Sequence, residues 1–161
     1  FVRMDVMLIQ NWHYQLLRTL VEAIAMVALG TGLIKVKVGW RQTVLAGLIV
    51  GLIGLFVQQL PIKYGVHLPI VIITFILTLS IVLNVNIVKS ATAALLSFAI
   101  LVSIEALAFY IQVSVFGYSE EVLTTASEVE RLLFSLPPLF VLIAIAAIVQ
   151  LWVRLRYRGS H

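Results

Sequence analysis

Residues 91–113 read ATAALLSFAILVSIEALAFYIQV, 23 positions with a single formal charge, the carboxylate of Glu105. A helix rises 1.5 Å per residue, so this stretch is roughly 35 Å long, enough to cross a hydrocarbon core about 30 Å thick. Its apolar residues occupy every face. A half-buried strand would alternate, and a membrane barrel would need many short alternating segments, so the run predicts a helix whose solvent is a bilayer.

Four further runs of the same kind cover residues 16–34, 43–60, 68–88 and 132–153. With 91–113 they predict an all-α integral membrane protein, a five-helix transmembrane bundle. The composition agrees: 62% of the 161 residues are hydrophobic and 11% charged, against about 45–50% apolar usage in soluble domains. Mean hydropathy is +1.12. The expected organisation is an interfacial segment at 1–15, a membrane domain at 16–157 and a remnant of a purification tag at 158–161, where Arg158, Gly159, Ser160 and His161 follow one another.

Orientation follows from the cations near the helix ends. Lys35, Lys37 and Arg41 lie between the first and second runs, Lys89 between the third and fourth, and Arg154, Arg156 and Arg158 after the fifth. Arg3, Arg18, Lys63 and Arg131 lie at the opposite ends. Seven against four places the N-terminus outside and the C-terminus in the cytoplasm, with the plasma membrane as the expected location. Trp12, Tyr14, Tyr64, Tyr110 and Tyr118 then form an outer aromatic belt, and Trp40, Trp152 and Tyr157 an inner one.

A net charge of +4 does not point to nucleic acid, because the cations are spread over short juxtamembrane loops, where topology and contact with anionic lipid account for them. The chain has no cysteine. Thiolate ligands, disulfides and cysteine nucleophiles are thereby excluded. No His-Glu-x-x-His pair, phosphate loop or oriented serine–histidine arrangement occurs, and Asp5 is the sole aspartate. No catalytic residue, metal site or cofactor is expected.

Two features bear on packing. Gly47 and Gly51, with Gly54 shortly after, are small residues at helical spacing that let another helix approach closely. The partner is expected within the chain, either Ala93 and Ser97 or Ala28 and Gly32, with a homodimer face as the alternative. Pro137 and Pro138 are expected to interrupt the fifth helix in its outer half, because neither supplies an N–H. The Ser127 to Glu130 spacing fits a capping box that starts this helix near Glu128.

Functional residues are sought among polar groups that lipid penalises. Glu22 and Glu105 lie inside the first and fourth runs, where a carboxylate costs about 2.5–3.5 kcal/mol on insertion scales. Arg18 stands four residues before Glu22 and can pair with it along one helix face. Glu105 has no such neighbour on its own helix; Arg131, Lys63, His67, Gln58 and Gln59 are its candidate partners. The expected ligand-binding set is Glu22, Glu105, Arg18, Gln58, Gln59, His67 and Arg131.

The order of these features resembles a family. Leu20-Val21-Glu22-Ala23, the glycine-rich second helix after a basic loop, residues 60–67 (LPIKYGVH), Glu105, and residues 132–137 (LLFSLP) together are similar to the membrane sensor region of Firmicute histidine kinases of the accessory-gene-regulator type. The resemblance spans residues 16–153 and rests on hydrophobic, loosely specified motifs. It implies a domain that receives an extracellular or membrane-borne signal, often a peptide, and relays it to a cytoplasmic dimeric kinase. No phosphoacceptor histidine segment or ATP-binding motif follows residue 153 in this sequence.

The expected function is therefore that of a sensor or receptor rather than an enzyme. The alternatives are a substrate-binding membrane subunit of a transporter and a structural or regulatory subunit of a membrane complex. The partner classes are membrane lipids, a peptide or small apolar ligand, and a second copy or another membrane protein.

Overall fold

A computed structural model describes the backbone of residues 2–59, 67–114 and 128–158, and the side chains of 15–59, 67–114 and 136–156. Among the described residues five helices follow in order: α1 Val2–Leu33, α2 Trp40–Gln59, α3 His67–Val82, α4 Ile87–Ser114 and α5 Glu128–Arg158. There is no strand among the described residues. Four helices are long and apolar enough to cross a membrane, over Gln15–Leu33, Trp40–Gln59, Ile87–Ser114 and Leu136–Arg156. Residues 2–14 continue α1 as one helix rather than forming a separate element.

The helix ends have identifiable causes. At the end of α1, Val36 N–H donates to Thr31 O and Lys35 N–H to Gly32 O, both at 3.0 Å, with Lys35 left-handed at φ 56°. This is a Schellman closure with lysine where glycine is usual. At the start of α2, Gly39 N–H donates to the Gln42 side chain while Gly39 O accepts from Thr43 N–H, which is the returning half of a capping box. The third expected run, 68–88, is broken. α3 stops at Val82, Asn84 turns left-handed at φ 52°, and the Asn86 side chain caps α4 by accepting from Val88 N–H at 2.9 Å. Asparagine suits both positions, since it tolerates the left-handed region and caps helix N-termini well. At 16 residues α3 is the shortest of the described helices and, unlike the other four, is not long enough to cross a membrane, where five spans were expected.

Small and hydroxyl-bearing residues share the interior with Leu29, Phe75, Leu79 and Leu142, and many large apolar side chains lie on the outside. Ala23, Ala25, Ala46, Ala93, Ala94, Thr31, Ser90 and Ser97 are buried, while Leu52, Phe56, Ile81, Leu95, Phe140, Ile148 and Leu155 are exposed. So many large apolar side chains on the exterior are unusual for a water-soluble domain, and close-packed small residues between helices are how helices associate in lipid. Phe75, fully buried, fills the space between α3 and α4 and meets Phe98 edge-on at 6.0 Å.

α1 is the hub: it packs on α2, α4 and α5, while α3 bridges α2 and α4. The α1–α4 pair is antiparallel and in regular register. Arg18 meets Glu105; eight residues on, the Met26 carbonyl accepts from Ser97, eight back; four further on, Gly30 lies against Ala93. Along α2, a Cβ at Gly47 would meet Ile24 Cα at 2.5 Å, and one at Gly51 would meet Leu20 and Ala23. The glycine face therefore packs on α1, as expected of an intramolecular partner, but through Leu20, Ala23 and Ile24 rather than Ala28 and Gly32. Ala93 and Ser97 serve Gly30 instead. Gly54, also expected to pack, has no atom within 4 Å of an added Cβ.

α5 joins α1 through a polar knot. Gln150 Nε2 donates to Ala28 O at 2.6 Å and to Thr31 Oγ1 at 3.1 Å, and Thr31 Oγ1 itself donates to Val27 O at 2.8 Å. A Cβ at Gly32 would strike Val149 at 2.6 Å, so the two backbones approach closely where the amide crosses. α5 starts at Glu128 as expected; Ser127 lies outside the described residues. The helix runs unbroken through Pro137 and Pro138, where an interruption was expected. Each proline removes one intrahelical donor, and the remaining bonds of a 31-residue helix keep the assignment continuous.

Candidate functional site

Glu22, Arg18 and Glu105 come together in the half of the bundle that holds the N-terminal half of α1. Arg18 Nε lies 3.9 Å from Glu22 Oε2, and Arg18 Nη2 lies 3.9 Å from Glu105 Oε1. The one guanidinium is thus shared by carboxylates from α1 and α4. Glu105's described partner is Arg18, the residue expected for Glu22 alone. No ion pair or hydrogen bond among the described residues joins Glu105 to Gln58, Gln59 or His67. Lys63 and the side chain of Arg131 lie outside the described residues, as do the side chains of Trp12, Tyr14, Tyr64, Tyr118 and Tyr157. The helical register explains the meeting: the antiparallel step that sets Met26 against Ser97 brings Arg18 level with Glu105 two turns higher.

Both contacts are ion pairs without direct hydrogen bonds, since N–H···O bonds fall at about 2.7–3.2 Å. Arg18 Nε is moreover buried with no hydrogen-bond partner. A guanidinium offers five donors in a rigid fork, so the cluster has unused donor capacity next to two carboxylates. It is also open on one side: 47% of the Glu105 side chain is accessible, against 25% for Glu22. Such an arrangement suits a group that presents an acceptor to Arg18 and donors to the carboxylates.

Gln58 and Gln59 lie elsewhere. With Gln15, Leu16 and Leu55 they line a cavity of about 190 Å³ between the middle of α1 and the C-terminal end of α2. Gln15 was not anticipated, although Gln15, Arg18 and Glu22 follow the i, i+3, i+7 spacing of one helix face. His67 begins α3, with its Nδ1 buried and unpartnered. Pro138 is buried and Pro137 exposed, and neither borders the acidic cluster through a described polar contact. Among the described residues no three His, Cys, Asp or Glu side chains group as a metal site would require.

Thr31 and Gln150 were not among the expected site residues. A lone amide in the apolar run of α5 was the available signal, because polar side chains within membrane helices commonly bond across to a neighbour. No protein-family model, curated protein or solved structure matches this chain.

Proposed function

We infer that the chain is a multi-pass protein of the cell membrane, with its N-terminus outside and its C-terminus in the cytoplasm, that serves as a sensor or receptor domain. Its binding site is the Arg18–Glu22–Glu105 cluster in the outer half of the bundle. The observation that carries this reading is the shared guanidinium. A carboxylate at membrane depth is costly, and here two are held by one arginine that bonds directly to neither and keeps a buried donor unfilled. Packing alone gives no reason for such a group. The orientation is supported by Lys35, Lys37, Arg41, Lys89, Arg154 and Arg156, which all lie at the opposite end of the bundle. The resemblance to sensor regions of accessory-gene-regulator-type kinases agrees with a site that faces outward and binds a peptide. Signal transfer would pass along α1, because α1 carries two of the three cluster residues and contacts α2, α4 and α5.

The test uses the absence of cysteine. Glu105→Cys should react from outside intact cells with a charged, impermeant methanethiosulfonate, whereas Leu107→Cys, 60% exposed on another side of α4, should not. Equal reaction at both, or none at Glu105→Cys, would remove the aqueous site. For orientation, Ser119→Cys should label from outside and Arg41→Cys should not; labelling of both would overturn the topology.

A further inference from the structure

The opposite end of the bundle holds a larger cavity, of about 560 Å³, that the outer site does not involve. Val36, Lys37 and Val38 of the α1–α2 connection form one wall, and α5 forms the other with Gln150, Val153 and Arg154 among its lining residues. Leu151 and Leu155, three residues before and one after Arg154, add apolar surface. Each wall thus carries one cation set among aliphatic side chains.

Residues 23–104 and 131–161 contain neither aspartate nor glutamate, so no carboxylate side chain belongs to the segments that build this end. Six described cations gather there. Two of them flank the ring of Trp152, Lys35 Nζ at 5.8 Å and the Arg156 guanidinium at 4.6 Å, and Arg41 stands 5.8 Å from the Trp40 ring. Trp40 and Trp152 are both exposed. Half-exposed tryptophans with adjoining cations mark the level of lipid headgroups.

We propose that this cavity binds the headgroup of an anionic phospholipid, with the phosphate between Lys37 and Arg154 and the upper acyl chains against Val36, Val38, Leu151 and Leu155. Basic recesses between membrane helices on the side that carries the positive charge hold such headgroups. The aliphatic walls select a lipid over free phosphate, which has no use for them. Gln150 borders the cavity and also ties α5 to α1, so an occupied site would brace the α1–α5 contact. The proposal rests on the membrane reading given above but not on the outer site.

The experiment reconstitutes the full chain and measures retained lipid by native mass spectrometry against phosphatidylglycerol and phosphatidylcholine. The wild type should prefer phosphatidylglycerol by about tenfold to thirtyfold, as two basic contacts allow. Lys37→Gln with Arg154→Gln should abolish the preference, and Lys37→Arg with Arg154→Lys should keep it. Lys89→Gln, which removes a cation at the same end outside the cavity, should also keep it. An equal loss with Lys89→Gln would reduce the effect to diffuse charge and overturn the site. Displacement of phosphatidylglycerol by millimolar inorganic phosphate would overturn the lipid assignment. Flotation with neutral phosphatidylcholine vesicles separates the two readings. A chain that does not float refutes the membrane reading, and one that floats without headgroup preference refutes only this proposal.

Discussion

Replacing Gly47 by alanine tests the helix contact on which the bundle depends. The added Cβ would lie 2.5 Å from Ile24 Cα, 2.6 Å from Ile24 Cγ1 and 2.9 Å from Ile24 N. Two of those atoms are backbone and cannot rotate aside. Carbon–carbon contacts settle at about 3.5–4.0 Å, so α1 and α2 must part locally by about 1–1.5 Å, which loosens Ala46 and Val50 on the same face. Overpacking of this kind costs about 1–3 kcal/mol, against which alanine regains about 1 kcal/mol of helix propensity. A net loss of up to about 2 kcal/mol is expected. Gly54→Ala meets nothing within 4 Å and should gain about 0.5–1 kcal/mol. Gly51→Ala should fall between them, because its nearest contact, at 2.9 Å, is the mobile end of Leu20. Unfolding midpoints in mixed micelles of mild detergent and dodecyl sulfate measure the series. Equal midpoints for Gly47→Ala and Gly54→Ala, or a reversed order, would show that this face does not pack as described.

Gln150→Leu removes both bonds to α1 and should cost about 0.6–1.7 kcal/mol in the same assay; Thr31→Val with Gln150→Leu should cost less than the two separate losses, and strict additivity would argue against the knot. Arg18→Met strands two carboxylates and should destabilise by about 1–2 kcal/mol, discounted for their exposure, while adding Glu22→Gln and Glu105→Gln should restore most of it; no restoration would mean that Arg18 acts through packing. Glu105→Gln alone should lower binding of a signalling peptide more than it lowers the unfolding midpoint, and an unchanged affinity contradicts the outer site. Asn86→Ala should lose about 1 kcal/mol of cap, and Asn84→Val should lose more because a β-branched residue resists φ 52°; two silent variants would refute the turn between α3 and α4.

The helices were legible because the runs are apolar on all faces, and four of the five expected spans are long enough to cross a membrane while α3 is not. The break at residues 83–86 was also written in the sequence, as Asn84 and Asn86, but hydropathy averaging runs across two asparagines flanked by valines. The acidic pair was legible as a pair of costly residues. Its sharing of Arg18 was not, because the partner of Glu105 depends on the register between α1 and α4, which Ser97, Ala93 and Gly30 set two to three turns away. Gly47 and Gly51 announced a close contact without naming its other side: Ile24 has no small-residue signature, and Gly47 fits it by accepting its backbone. The proline pair pointed to a lost donor, yet losing two bonds does not end a helix that neighbours hold on either side.

The knot between α1 and α5 has a consequence for the order in which the chain assembles. Thr31 and Gln150 are 119 residues apart, and synthesis at about 5–20 residues per second separates their appearance by roughly 6–24 s. During that interval α2 and then α4 can settle on α1, but the side of α1 that will receive α5 stays uncovered. Thr31 tolerates the wait because its hydroxyl already donates to Val27 O and Ala28 O on its own helix. The described hydrogen bonds of Gln150 both run to α1, so its amide finds its acceptors only when α5 docks there. The last helix therefore brings with it the group that selects its docking position.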